Sequence, residues 1–368
     1  MSLFRKLMMP LALLVFAAGS QAQSRRVAPT PTPTPQEEES VRVLTEEVKL
    51  NVLAFDDEGK FVPDVTADDL VITDNDILHQ PSSVRRIPAH VLIVMDTGGE
   101  LRQVKSLEQT RRTARAVVSA LKAGDQTAIL QYSDRAEIVS EWTDDKQATL
   151  RAIGKTKFGR RSAFVDAINT AVDFLQKSEQ GNKHLVLITD GTDSGLDAKA
   201  RSHALNRLLA TDISVHVLSY TQMEVTDIAP RTKGISNQPP PKAMPDEVAA
   251  QLPNGVRDVA TAPKFKTINL DRTMLRKLKA RKADLESAEV QLSSIAENTN
   301  GEIIIPMSLD EMVEKSALVA KLIDAAYVVT YIPKVPLTEK SADRNIQVTS
   351  KRDGLIVQAK RKLVVNPQ

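Results

Sequence analysis

HVLIVMDTGGE, residues 90–100, sets the reading of everything around it. Residues 91–95 are apolar without interruption. The run is too short to cross a bilayer and too continuous for a strand with one wet face, so it predicts a strand buried on both faces of a parallel sheet. It stops at Asp96, and Gly98 and Gly99 follow. A carboxylate at the C-terminal end of such a strand, ahead of a glycine turn and a helix, stands on the edge where open α/β sheets bind ligands. A second apolar run, residues 184–189, also ends in an acid, Asp190.

Working outward, helices and strands alternate. Leu101, Val104, Leu107, Ala114, Val117, Val118 and Leu121 recur at helical spacing and predict one amphipathic helix after the central strand. Strands are expected over residues 127–132 and 137–142, around a Ser133-Asp134 turn, then a short helix through Leu150 and Ile153 and a longer one through Ala163 to Leu175. After Asp190 come a helix through Leu205 and Leu208 and a strand over residues 213–220. Such alternation with short connections predicts an α/β fold, a doubly wound, mostly parallel sheet, over residues 89–325. Residues 222–285 interrupt it as an insertion. Its first part is rich in Pro, Asn and Gly around Pro239-Pro240-Pro241 and reads as a long loop. Its second part reads as a helix whose residues 272–282 carry six basic and no acidic side chains, the pattern of a solvated face. That helix can run on through Leu292 and Ile295 to a stop at Asn300-Gly301. A last strand over 302–306 and a last helix through Leu309 to Ile323 complete the sheet.

Both flanks are β in pattern. In residues 41–88, Val48, Leu50 and Val52 alternate with Lys49 and Asn51, and Thr66 with Asp69 can cap one helical turn. In residues 326–368, strands are expected over 326–332, 345–349 and 355–365, with Asp353-Gly354 as a hairpin turn. Neither flank is large enough to stand alone, so the two are expected to pair into one small β domain built from the N- and C-terminal segments.

Residues 1–22 read as a cleavable secretory signal: Arg5 and Lys6, an apolar run over 7–18, and Ser20-Gln21-Ala22 before the cut. Residues 23–40, with alternating Thr and Pro and then a Glu run, read as a linker. The expectation is a periplasmic or secreted chain with no membrane span after cleavage. Cleavage removes Arg5 and Lys6 and leaves basic and acidic residues balanced, so there is no electrostatic case for nucleic acid as a partner. With no cysteine, disulfides, thiolate metal sites and a cysteine nucleophile are excluded. An exported chain of this kind fits a bacterial envelope.

Asp96, Ser162 and Asp190 are expected to meet at one sheet edge, an oxygen-only set suited to a hard divalent cation such as Mg²⁺. The strand HVLIVMD, the stretch GRRSAFVDAI at residues 159–168 and LVLITDGTD at residues 185–193 together resemble the von Willebrand factor type A domain and its metal-ion-dependent adhesion site. The flanking pieces resemble a bacterial exported subgroup with β segments at both ends. The resemblance implies metal ligands at Asp96, Ser162 and Asp190, and a function in protein binding or adhesion. The family's first motif, Asp-x-Ser-x-Ser, stands here as Asp96-Thr97-Gly98-Gly99-Glu100, so both serines are replaced. Two arrangements follow: Glu100 reaches the cation as a substitute ligand, or the site is vestigial, with Glu100 capping the next helix and Arg160 and Arg161 pairing with the acids.

No nucleophile elbow, P-loop, dinucleotide fingerprint or His-Glu-x-x-His occurs, and Gly98 stands where an aspartate-nucleophile phosphatase wants its second Asp. His90, His184 and His216 fall at or in predicted strands and read as core residues. No catalytic residue is therefore expected. The alternatives to a protein-binding module are a metal-independent docking subunit of an envelope assembly and, less favoured, a metal-dependent hydrolase.

Overall fold

Strand β5 (His90–Asp96) and strand β8 (Lys183–Thr189) are buried at every residue in the computed structural model. They lie side by side, in parallel, at the centre of a six-stranded sheet. The structure describes residues 47–368 apart from 100–103, 105, 196, 234, 237–250, 252, 254–266, 269–271, 336–343, 360–361 and 364–368. The expected signal and linker, and Glu100, lie outside the described residues. On one side β5 is flanked by parallel β6 (Gln126–Tyr132) and then antiparallel β7 (Ala136–Thr143). On the other side, β8 is followed by parallel β9 (Ser214–Ser219) and parallel β12 (Ile303–Ile304), while within the insertion the short β10 (Ile235–Ser236) and β11 (Thr267–Ile268) pair antiparallel.

Alternation along β5 decides which helices cover which face. Val91, Ile93 and Met95 point into a core shared with α1 (Leu107–Ala120) and α7 (Leu309–Asp324). Leu92 and Val94 point the other way, onto α3 (Phe164–Gln176), α4 (Ala198–Leu209) and the C-terminal half of α6 (Arg272–Asn298). Helices thus cover both faces of a mostly parallel sheet, which is why its central strands carry unbroken apolar runs. A short α2 (Lys146–Lys155) lies after β7.

The two ends of the chain interleave in a sandwich of two antiparallel sheets. One sheet holds β15 (Ile356–Ala359), β1 (Val48–Phe55), β13 (Ala326–Tyr331) and β4 (Ser83–Arg85). The other holds β14 (Arg344–Ser350), β2 (Leu70–Asp74) and β3 (Ile77–His79), with Lys362–Leu363 on its edge. Leu50, Val52, Leu70, Ile72, Val329 and Ile346 share one core between the sheets. The sandwich is tied to the α/β sheet by Asn51, whose amide donates to Ser214 Oγ at 3.1 Å while its carbonyl accepts from Asn300 Nδ2 at 2.9 Å. Among the described residues no helix is long and apolar enough to cross a membrane.

Three expectations change. The helix after the central strand begins at Leu107, more than a turn later than the apolar spacing suggested, because Ser106 and Gln109 form a capping box that fixes its start. Asp353-Gly354 does not join a hairpin: β14 pairs with β2 and β15 with β1, so the turn carries the chain from one sheet of the sandwich to the other. The insertion opens as a helix, α5 (Thr221–Ile228), whose Ile228 and Val225 pack on Leu278 and Leu285 of α6.

Candidate functional site

Three loops meet at the C-terminal edge of the sheet, and the backbone itself holds them together. Thr97 N donates to Tyr132 O at 2.9 Å, and Gly159 N to Thr97 O at 3.3 Å. Ala163 N donates to Ser133 O at 2.8 Å, and Ser194 N to Ser162 O at 2.8 Å. Ser162 N returns a bond to Ser194 Oγ at 2.8 Å. The strand ends, the loop before α3 and the loop after β8 therefore form one ordered lip.

Asp96 closes β5, fully buried, and its Oδ1 accepts from Gly98 N at 3.1 Å. Asp190 follows β8 and is 2% exposed, so its charge needs a partner close by. Its Oδ1 accepts from Thr192 N at 2.9 Å and Thr192 Oγ1 at 2.7 Å. Its Oδ2 accepts from Arg281 Nη2 at 2.8 Å, and Arg281 Nη1 donates to Thr192 Oγ1 at 2.6 Å. Arg281 comes from α6, the helix whose basic segment read as solvated; the others of that run for which exposure is described are surface residues or half-buried. Arg160 and Arg161, the expected counter-ions, are exposed instead. Removing either member of such a buried pair strands the other charge, at about 3–5 kcal/mol.

The electrostatics place both acids around the same cation. Burial alone would lower the Arg281 pKa, but the charges of Asp190, Glu224 and Asp96 outweigh it and hold the guanidinium above its ordinary value. Glu224, on α5, is fully buried and accepts from Val104 N at 3.1 Å. Tyr132 sits beneath, its hydroxyl 2.5 Å from Thr189 Oγ1. Burial, then the charges of Asp96 and Asp190, push that phenol well above its ordinary pKa. Arg201 of α4 clamps the outer side: it donates to Gly191 O at 2.7 Å and Gln291 Oε1 at 2.6 Å, and lies over the Phe164 ring.

Asp96, Ser162 and Asp190 all lie in the loops and strand ends of this lip, while Glu100 lies outside the described residues. As placed, they do not fit a divalent cation. Both Asp190 oxygens are engaged, one of them by the Arg281 guanidinium, whose positive charge would repel a second cation there. Nor could a serine stand at position 98, because a Cβ there would lie 1.8 Å from Arg161 O and 2.8 Å from Ser133 Cα. Among the described residues no cluster of three or more His, Asp or Glu side chains is arranged to hold a metal.

Sequence reasoning missed Arg281, Glu224 and Thr192. A signal for Arg281 exists: it lies three residues after Leu278 and four before Leu285, both buried, and so on the inward stripe of its helix.

His90, His184 and His216 are buried and held by hydrogen bonds. Glu302 N donates to His216 Nδ1 at 3.3 Å, which fixes the proton on His216 Nε2, 3.1 Å from His184 Nδ1. His184 Nε2 then donates to Asn182 Oδ1 at 2.8 Å. Burial pushes His216 down to about 4, and burial together with the neighbouring His216 pushes His184 well below its usual range, so both rings are neutral. His90 bonds Ser178 Oγ at 2.8 Å and lies against Trp142.

Residues 91–192 match the sequence profile of the von Willebrand factor type A domain. No curated protein matches the chain. Among solved structures, an aerotolerance-related membrane protein from Bacteroides fragilis aligns over 64% of this chain and 98% of its own, at 18% identity and a TM-score of 0.41. The protein BatB from Bacteroides thetaiotaomicron aligns over the same shares at 16% identity and a TM-score of 0.37. A von Willebrand factor type A protein from Catenulispora acidiphila aligns over 88% of this chain and 74% of its own, at 10% identity and a TM-score of 0.41.

Proposed function

We infer that this chain, which carries a von Willebrand factor type A domain, is an exported, non-enzymatic module that holds a protein partner at the C-terminal edge of its sheet. The observation that carries the reading is the lip itself: three loops, cross-bonded through the backbone, presented by a rigid sheet. Loops fixed on such a scaffold are where binding surfaces are built. The neutral chain of His184 and His216, sealed in the core, fits a module that binds and does not turn over a substrate. The engagement of Asp190 by Arg281 favours a contact without a bridging metal ion, the arrangement of a docking subunit in an envelope assembly.

The test is capture from a bacterial envelope extract by the immobilised mature chain. A protein retained by wild type should be lost on Arg160→Glu with Arg161→Glu, which reverses charge on the exposed loop of the lip. It should be kept on Leu78→Glu, at the far β2–β3 hairpin, and kept in EDTA. Retention by the lip variant would remove the edge as the binding surface. Release by EDTA would reinstate a metal bridge.

A further inference from the structure

The lip carries its own positive charge. Arg281, Asp190 and Thr192 form a closed set: the guanidinium donates one N–H to Asp190 Oδ2 and another to Thr192 Oγ1, and that hydroxyl donates to Asp190 Oδ1. The Arg281 and Asp190 side chains are only 13% and 3% exposed, so each charge depends on the other more than on water. Two further buried acids, Asp96 and Glu224, act on the same guanidinium. No rare conformation is needed to bring it there, because the helical stripe that buries Leu278, Leu285 and Leu292 also turns Arg281 inward.

We propose that Arg281 is the resident cation of this edge: its guanidinium stands in for the divalent ion that the domain family implies, and the same contact fastens α6 to the sheet. A tethered side chain is always present at high effective concentration and is not removed by a chelator. Its planar fork satisfies a carboxylate and a hydroxyl together, which a single lysine ammonium does less well. Binding at the lip is then indifferent to metal, and a partner cannot dock by completing a metal's coordination shell. The inference deepens the proposed partner edge, yet its test needs no partner, so a failed capture experiment and a failed cation experiment are distinguishable.

Thermal melting of the full mature chain provides that test, comparing wild type, Arg281→Ala, Arg281→Lys, and Arg281→Ala with Asp190→Asn. Each is melted in EDTA, in millimolar MgCl2, and in guanidinium chloride at sub-denaturing concentration against equal NaCl. Wild type should melt at one temperature in EDTA and in MgCl2. Arg281→Ala should melt several degrees lower and be raised by Mg²⁺ or guanidinium beyond the NaCl control, with Arg281→Lys in between. The charge-balanced double variant should regain part of the loss and respond to neither cation. If Arg281→Ala does not fold, recovery of folding in the double variant supports the inference, and failure to recover overturns it. The inference is also overturned if wild type melts higher in MgCl2 than in EDTA, if Arg281→Ala melts with wild type, or if its lowered melting temperature answers to neither cation.

Discussion

Gly98→Ser would restore one serine of the adhesion motif, and the structure predicts that it damages the chain. A Cβ at residue 98 would lie 1.8 Å from Arg161 O, 2.8 Å from Ser133 Cα and 3.0 Å from Arg161 C, all backbone atoms. Those atoms are not free to retreat. Arg161 N is held by Asp134 Oδ1 at 3.0 Å, and Ser133 O accepts from Ala163 N at 2.8 Å. Forcing a larger residue into a packed site costs about 1–3 kcal/mol, and each backbone bond broken to make room adds about 0.5–1.5 kcal/mol. The sum is about 3 kcal/mol, a fall in Tm of about 5–10 °C. Urea and thermal unfolding followed by circular dichroism would measure it. Gly98→Ala should fall equally, since the clash is with the Cβ and not the hydroxyl. Gly154→Ala, in α2 with nothing within 4 Å of the added atom, should be neutral or slightly stabilising. Gly98→Ser melting with wild type would show that the loop yields to the added atom, and a Mg²⁺-dependent rise in that variant would show that the lip accepts an ion.

Stability should depend on pH through the buried histidines. His216 is pushed down to about 4 by burial, so between the unfolded value of 6.5 and that pH the unfolded chain binds more protons than the folded one. Stability is then fully present above about pH 6.5 and falls by on the order of 3 kcal/mol for His216 as the pH drops to about 4. Urea unfolding across that window checks the slope, and a flat profile would show that the rings are not sealed from water. Ser106→Ala should cost about 1 kcal/mol by removing the N-cap of α1. An unchanged urea midpoint would mean that the α1 start is fixed by packing alone.

The centre of the fold was legible because burial on both faces leaves a plain mark: β5 and β8 each carry an unbroken apolar run, 91–95 and 185–188, and an acid closes the first and follows the second. The sandwich was legible in outline, from alternation at Val48, Leu50 and Val52 and again toward the C-terminus. Its internal path was not, because Asp353-Gly354 has the same turn chemistry whether the next strand pairs within its own sheet or crosses to the facing one. At the lip, Asp96 and Asp190 could be named from the strand ends, and Ser162, in the loop before α3, from the family resemblance of its stretch. Arg281 could not be singled out by composition, lying among six basic residues at 272–282. Only the spacing of Leu278 and Leu285 distinguishes it, and that spacing matters only once α6 is known to pack against α5. Glu224 was hidden for a related reason: the Pro-rich stretch beyond it made the first part of the insertion look irregular, although residues 222–228 lie in a helix.

Divalent-metal content of the purified chain, measured by plasma mass spectrometry after dialysis against MgCl2 beside Asp190→Asn prepared in the same way, tests the internal-cation account most directly. The account predicts far less than one equivalent of any divalent metal in both proteins. One equivalent in wild type, absent from Asp190→Asn, would contradict it.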